Sequence, residues 1–415
     1  MSLLPAVSAV EFPARIRGWL CGAVFLGVMV WLSVEPQWVL GQEPSAKATP
    51  RIEELDAIGG NWWKSRAERP VYYYRDGEQL LDLFSYHIQD SNRDGIENLQ
   101  ISHDERFLMI RSQGYPNHPT ALFPNSQNPN AIRVQDFTFR LPLRPQMATE
   151  VTRVPMGPIG MALNGVVFFN PFEMQGMNAV EGYSEVWLDA CCGHPQQTGV
   201  YHYHKYPTCV KTPFQDQGKQ HSPILGFAWD GFPIHGPYEA DGKLAKDLPA
   251  DRALDVCNGH RDAVRGYHYH VTPGRFPYIL GGYAGVVELS NNRALQRVGK
   301  GPIENTTVAG EGRLSPVIVA VRPGIVTPGT KHSIQIELQP ELERRQALPA
   351  ESPSWVQIGP YEATTIKRDG NLITVDLMIP EDAPVGVWLD CHVEFAGLLR
   401  RTLVYKKNDA LRVSP

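Results

Sequence analysis

Two stretches of this chain carry one spaced pattern, and that repeat limits the fold more than any other feature. Residues 188–207 read LDACCGHPQQTGVYHYHKYP and residues 254–273 read LDVCNGHRDAVRGYHYHVTP. Both fit L-D-x-C-x-G-H-x6-Y-H-Y-H-x2-P without a gap, so ten of twenty positions coincide. The matched positions include Asp189 with Asp255, Cys191 with Cys257, His194 with His260, and the YHYH tetrads at 201–204 and 267–270. A fixed pattern in such rare residue types implies a duplicated structural unit.

The chemistry of the tetrad follows from strand geometry. Residues i and i+2 of an extended strand face the same side, about 7 Å apart at the backbone. His202 and His204 then share one face, with Tyr201 and Tyr203 on the other. His268 and His270 are set against Tyr267 and Tyr269 in the same way. Neutral imidazoles so placed can converge on one ion, and they suit Zn, Cu, Fe and Ni. Packing of the halves about a pseudo-twofold axis would bring His194, His202, His204, His260, His268 and His270 into a shared site. Asp189 and Asp255 would orient ring N–H groups from behind, within a shell formed with the four tyrosines. Nitrogen-rich ligation makes Cu or Zn the expected metal. The rival reading is a metal-free polar network, and a third is three histidines plus solvent.

The cysteines admit more than one use. Cys191 and Cys257 occupy equivalent positions and suit a disulfide joining the halves, whereas Cys192 and Cys209 flank the first tetrad and suit a local loop closure. Connectivity is not readable from sequence, Cys391 is the odd one out, and thiolate ligation is the alternative. Disulfides are expected because the chain reads as exported. Residues 18–34 carry no charge, follow Arg15 and Arg17, and precede small residues at Val39-Leu40-Gly41. That is a signal peptide pattern over residues 1–41, with a retained membrane anchor as the alternative. The expected location is periplasmic, cell-surface or secreted.

The fold expected is mainly β. Gly 37 and Pro 35 break long helices and favour short strands with many turns. Residues 42–97 form an N-terminal segment with one expected helix before the aromatic run Val71-Tyr72-Tyr73-Tyr74. Residues 98–290 form a loop-rich β domain containing the pseudo-repeat, and 291–313 read as a linker. From 314 to 408 apolar and polar residues alternate, as in Ser333–Leu338 and Asn371–Leu377, and turns intervene. Short strands over such a length fit an immunoglobulin-like β-sandwich, read as an accessory or contact module.

Charge and motifs narrow the function further. Lys plus Arg is 39 against Asp plus Glu 44, which argues against nucleic-acid binding through bulk charge. Membrane contact is expected only through the N-terminal segment, if uncleaved. No G-x-S-x-G, Walker A, Rossmann glycine pattern or H-E-x-x-H occurs. Asp90-Ser91-Asn92-Arg93-Asp94-Gly95 begins like a Ca²⁺ loop, but Ile101 stands where the bidentate Glu belongs, so a turn is the first reading and Ca²⁺ the second. His118, in a Pro-Asn-His turn, is a further candidate for the histidine cluster.

Around the repeat lie Gly114-Tyr115-Pro116-Asn117-His118, Met161-Ala162-Leu163-Asn164-Gly165-Val166 and Ile224-Leu225-Gly226-Phe227-Ala228-Trp229-Asp230-Gly231-Phe232-Pro233-Ile234. With both tetrads, these make residues 98–290 resemble the YHYH domain family of exported proteins. The resemblance implies no established activity. His235 departs from the family's usual aromatic residue, which sets any ligand role for it in question. Two functions follow as expectations: a transition-metal-binding protein, with metal-dependent oxidation as one use, or a metal-free extracellular binding or structural module.

Overall fold

The computed structural model describes residues 90–414 apart from 174–175, 183, 213, 215, 264, 308–317, 340–350 and 397–402, and before them the backbone of four strands. Those strands are β1 (Asp56–Gly59), β2 (Trp63–Arg66), β3 (Arg69–Tyr74) and β4 (Gln79–Leu81), which pair in chain order. Strands therefore occupy the region where a helix was expected ahead of the tyrosine run. The signal-peptide segment lies outside the described residues. Among the described residues, no helix is long and apolar enough to cross a membrane. The protein is mainly β, as its glycine and proline content anticipates.

A three-stranded meander follows, of β5 (Leu99–His103), β6 (Phe107–Ser112) and β7 (Phe137–Pro142). After β8 (Met147–Thr152) the chain builds the sheet that carries the repeat. Its first half consists of β9 (Pro158–Ala162), β10 (Val167–Phe169), β11 (Gly193–Pro195) and β12 (Tyr201–Tyr203). Its second half consists of β13 (Ile224–Ala228), β14 (Pro233–His235), β15 (Gly259–Asp262) and β16 (Gly266–His270). The spatial order is β11-β12-β10-β9-β13-β14-β16-β15, a sequence symmetric about the β9–β13 pair. Strand β17 (Tyr283–Gly285) then pairs with β8.

The duplication extends well beyond the pattern visible in sequence. Adding 66 to a residue number converts the first half into the second. Met161 pairs with Phe227, its own equivalent, so a pseudo-twofold axis passes between them. Gly165 and Gly231 both turn the β-hairpin at φ 84°, where a side chain would be strained. Phe172 bridges Asn178 as Tyr238 bridges Leu244.

The C-terminal region has two sheets around one core. One is ordered β18 (Ile318–Arg322), β20 (Lys331–Leu338), β24 (Leu372–Met378), β23 (Thr364–Asp369). The other is ordered β19 (Ile325–Val326), β26 (Leu403–Val413), β25 (Trp388–Phe395), β21 (Trp355–Ile358), β22 (Tyr361–Glu362). Ile334, Ile336, Val375 and Leu377 from the first sheet meet Val356, Ile358, Val393 and Phe395 from the second in a dry interior. Residues 291–307, read from sequence as the start of a linker, lie against the repeat domain, with Leu295 and Ile303 buried in its core.

One disulfide is formed among the described residues, Cys191–Cys209. It is neither of the pairings weighed from sequence. Cys257 is the counterpart of Cys191, but position 275, the counterpart of Cys209, is Arg275, so the second half lacks the partner. Cys192 stands at φ 67° and turns toward Asp390, 4.0 Å away. The closed loop of separation 18 implies about 3 kcal/mol of stabilisation through the unfolded chain. Replacing Cys191 and Cys209 together with serine is expected to lower the unfolding free energy measured in urea by that amount.

Candidate metal centres

The conserved spacing within each repeat has a local cause. Asp189 Oδ1 accepts from the N–H groups of Cys191 (2.9 Å) and Gly193 (3.1 Å), closing the loop before β11. Asp255 Oδ1 does the same for Cys257 (2.8 Å) and Gly259 (3.0 Å). The glycine is required because a Cβ at Gly193 would lie 2.2 Å from the Tyr201 ring, and one at Gly259 would lie 2.2 Å from the Tyr267 hydroxyl. The loop thereby sets His194 opposite His202, and His260 opposite His268.

The two aspartates do not orient histidines, as the sequence suggested. Asp189 Oδ2 accepts from Tyr201 Oη at 2.8 Å, and Asp255 Oδ2 accepts from Tyr267 Oη at 2.8 Å. Strand alternation is the reason: an acceptor that meets the tyrosine face cannot reach the histidine face. The remaining tyrosines have their own partners. Tyr269 donates to Asp230 at 2.5 Å. Tyr203 donates to His118 Nε2 at 2.6 Å, while His118 Nδ1–H is held by Pro119 O at 2.8 Å. His118 therefore belongs to the tyrosine face, away from the cluster; burial lowers its pKa to about 4.

Main-chain carbonyls orient the cluster histidines instead. His202 Nδ1 meets Val200 O at 3.0 Å, and His204 Nδ1 meets Asn170 O at 2.6 Å. Their equivalents His268 and His270 meet Gly266 O at 3.0 Å and Gly236 O at 2.6 Å. A carbonyl only accepts, so each proton sits on Nδ1 and each Nε2 presents a bare lone pair.

Those lone pairs converge. His202 Nε2 lies 3.1 Å from His194 Nε2 and 3.0 Å from His204 Nε2. His268 Nε2 lies 3.1 Å from His260 Nε2 and 3.2 Å from His221 Nε2. Protonation does not relieve the crowding in the first group: burial draws His194 and His202 well below the usual imidazole value and His204 to about 4. Metal–nitrogen bonds of 2.0–2.1 Å imply N···N distances of ~2.9 Å at right angles and ~3.4 Å in a tetrahedron. The observed spacings lie between these limits.

A glutamate attends each group. Glu173 Oε1 stands 3.8 Å from His194 Nε2 and 3.7 Å from His204 Nε2. Its counterpart Glu239 comes closer, with Oε1 3.2 Å from His260 Nε2 and 3.1 Å from His270 Nε2. Glu239 Oε1 and His270 Nε2 are both fully buried and neither makes a hydrogen bond. Burial alone would raise Glu239, but contacts with His260 and His270 hold it below the usual carboxylate range. The same carboxylate outweighs burial at His260 and raises that imidazole, while His268 and His221 are drawn well down, first by burial.

The two groups are separate centres. Strands β12 and β16 have β10, β9, β13 and β14 between them, five strand spacings or about 24 Å of flat sheet. The single shared site expected from a pseudo-twofold axis is therefore not formed. The axis exists, but it runs through the β9–β13 pair and leaves the tetrads on opposite flanks. His221, Glu173 and Glu239 escaped the sequence reading. Glu173 and Glu239 were accessible by extending the 66-residue offset; His221 belongs to no motif.

Two other candidates resolve differently. His118, Cys191 and Cys209 lie together, but the sulfurs are bonded to each other and offer no thiolate. In the loop at Asp90, both carboxylate oxygens accept main-chain N–H groups, from Asp94 (3.0 Å) and Gly95 (2.8 Å), which is the geometry of a turn.

The repeat, the buried histidine groups and the flanking segments agree with the earlier resemblance. Residues 138–248 match a family model described as YHYH protein. This match supports membership of the YHYH family. It spans the first tetrad and Glu239, and ends before the second tetrad. No curated protein and no solved structure matches the chain.

Proposed function

We propose that this is an exported protein whose YHYH domain binds two transition-metal ions, Cu or Zn, one at each half of the duplicated sheet. The first centre uses His194, His202 and His204, and the second uses His221, His268, His270 and Glu239, with His260 beside the carboxylate. The observation that carries this reading is the paired orientation of the imidazoles: Nδ1–H given to a main-chain carbonyl, Nε2 aimed at another Nε2 about 3 Å away. A buried polar network would instead alternate donors with acceptors. Several bare lone pairs facing one another are stable when a cation sits among them. The apolar segment at 18–34 and the Cys191–Cys209 disulfide support export.

The C-terminal region reads as an immunoglobulin-like accessory module. Its support is the strand order, first-third-seventh-sixth in one sheet and second-ninth-eighth-fourth-fifth in the other, which corresponds to A-B-E-D and A′-G-F-C-C′.

Metal content tests the reading. Protein purified through an oxidising export route is expected to carry about two metal ions per chain by elemental mass spectrometry. His202→Ala and His268→Ala are each expected to retain one, and the double variant none. Absence of stoichiometric metal in the wild type, or equal content in the double variant, overturns the reading and favours a metal-free module.

A further inference from the structure

We infer that the two centres have diverged, the first keeping a coordination position for a small exchangeable donor beside Glu173, the second closed by protein ligands. This rests on the metal-binding reading above.

The duplication makes the comparison position by position. His194, His202, His204 and Glu173 correspond to His260, His268, His270 and Glu239 at the constant offset of 66. Two nearby positions differ. Pro155 corresponds to His221, and Phe169 corresponds to His235. In the second half, His221 adds a fourth Nε2, 3.2 Å from His268 Nε2 and 3.7 Å from Glu239 Oε1. His235 adds another ring, with its centroid 4.8 Å from that of His221. In the first half, Phe169 lies flat on His202 with ring centroids 3.8 Å apart, an apolar wall that brings no donor.

The carboxylates differ in the same sense. Glu239 is 8% exposed and in direct contact with two of the imidazoles. Glu173 is 37% exposed and set back by 3.7 Å or more. The second centre therefore offers four mutually close protein donors, the nitrogens of His221, His268 and His270 and one oxygen of Glu239, with His260 against that carboxylate, which fills the tetrahedral shell of a Zn ion. The first offers three nitrogens, the set that leaves a position for water or substrate. That position would open toward the half-exposed Glu173, where a carboxylate can take a proton from bound water. The ligand class is a small monodentate donor, water at rest. Phe169 closes the side over His202 against anything bulky.

Cobalt(II) and azide test this. The protein is stripped with chelator, loaded with Co²⁺, and titrated with azide while the visible d–d absorption is recorded. In the wild type, where folding is not in question, the spectrum is expected to change with saturation at one azide per two bound Co²⁺. His268→Ala, which keeps only the first centre, is expected to respond as the wild type does. His202→Ala, which keeps only the second, is expected to bind Co²⁺ and leave its spectrum unchanged. Saturation at two equivalents, no response in the wild type, or a response only in His202→Ala overturns the divergence while leaving metal binding intact. Failure of the wild type to take up Co²⁺ overturns the metal reading and this inference with it.

Discussion

Replacing Asp390 with alanine is expected to destabilise the protein by about 3–5 kcal/mol, the range for breaking a buried ion pair by removing one member. Asp390 lies on β25 of the C-terminal sandwich and its side chain is 2% exposed. Its Oδ2 lies 2.8 Å from Lys205 Nζ and 3.2 Å from Lys406 Nζ, and its Oδ1 accepts from Asp409 N at 2.9 Å. Lys205 directly follows the first YHYH tetrad, so the carboxylate ties the sandwich to the sheet that carries the repeat. Alanine would leave two largely buried ammonium groups facing each other, with only Asp409 and Glu185 nearby to offset them. Burial alone would raise the Asp390 pKa, but Lys205 and Lys406 reverse that and hold it below the usual 3.8. A carboxylate depressed in the fold contributes its stability above its unfolded value and loses it as the pH falls through the folded one. The wild type therefore keeps the contribution throughout the range above about pH 5. Urea unfolding at neutral pH checks the prediction. A midpoint loss worth less than about 1 kcal/mol would mean that the cluster behaves as a surface pair. Adding Lys205→Met to Asp390→Ala is expected to recover part of the loss, because it removes one of the stranded charges.

What the sequence disclosed and what it withheld follow from the range of the interactions involved. Strands β20 and β24 of the sandwich were legible because one face is buried and the other wetter, and β25, buried on both faces, by its β-branched and aromatic residues. The alternating run at Ser333–Leu338 lies within β20, Asn371–Leu377 overlaps β24, and 388–395 is β25. Their turns were legible because Gly329, Gly370 and Gly386 adopt positive φ. The tetrads disclosed that two histidines share a face, since that depends only on the two-residue period of a strand. The distance between the tetrads depends instead on which hairpin edges meet at the axis. That choice is made by the β9–β13 pair, whose residues carry no histidine and entered the sequence reading only as part of the family resemblance. The disulfide partner of Cys191 was hidden for a related reason: the repeat suggested Cys257 by equivalence, whereas equivalent residues outside the axis lie on opposite flanks. His221 entered the second group from a loop position outside both tetrad motifs. The first repeat has Pro155 at that position.

Gly226→Ala is expected to prevent the repeat domain from folding. A Cβ at Gly226 would lie 2.1 Å from Met161 O, 2.8 Å from Ala162 Cα and 2.8 Å from Phe168 Cε2. Gly160, its counterpart across the axis, faces the same constraint, with a Cβ 2.6 Å from Phe227 O. Ordinary overpacking of a core costs about 1–3 kcal/mol because side chains can shift. Here the nearest atom is a backbone oxygen on the strand paired with β13, through Gly226↔Ala162 and Phe227↔Met161. Relief would require the central strands to separate by roughly an ångström, breaking ladder hydrogen bonds whose buried groups have no other partner. Every residue of β13 and β14 is buried, so no wet face is available to absorb the shift. Gly299→Ala is the control: a Cβ there meets nothing within 4 Å, and the residue is exposed. The control is expected to change stability by less than about 1 kcal/mol in either direction. Soluble yield, near-ultraviolet circular dichroism and metal content distinguish the outcomes. A Gly226→Ala protein with wild-type spectrum and both ions bound would show that the two halves are not locked together at the axis. If the halves are locked, both centres should be lost together, although the tetrads lie three and two strands from the substituted residue. Loss of only one centre would mean that each half of the sheet holds its own histidines without the other.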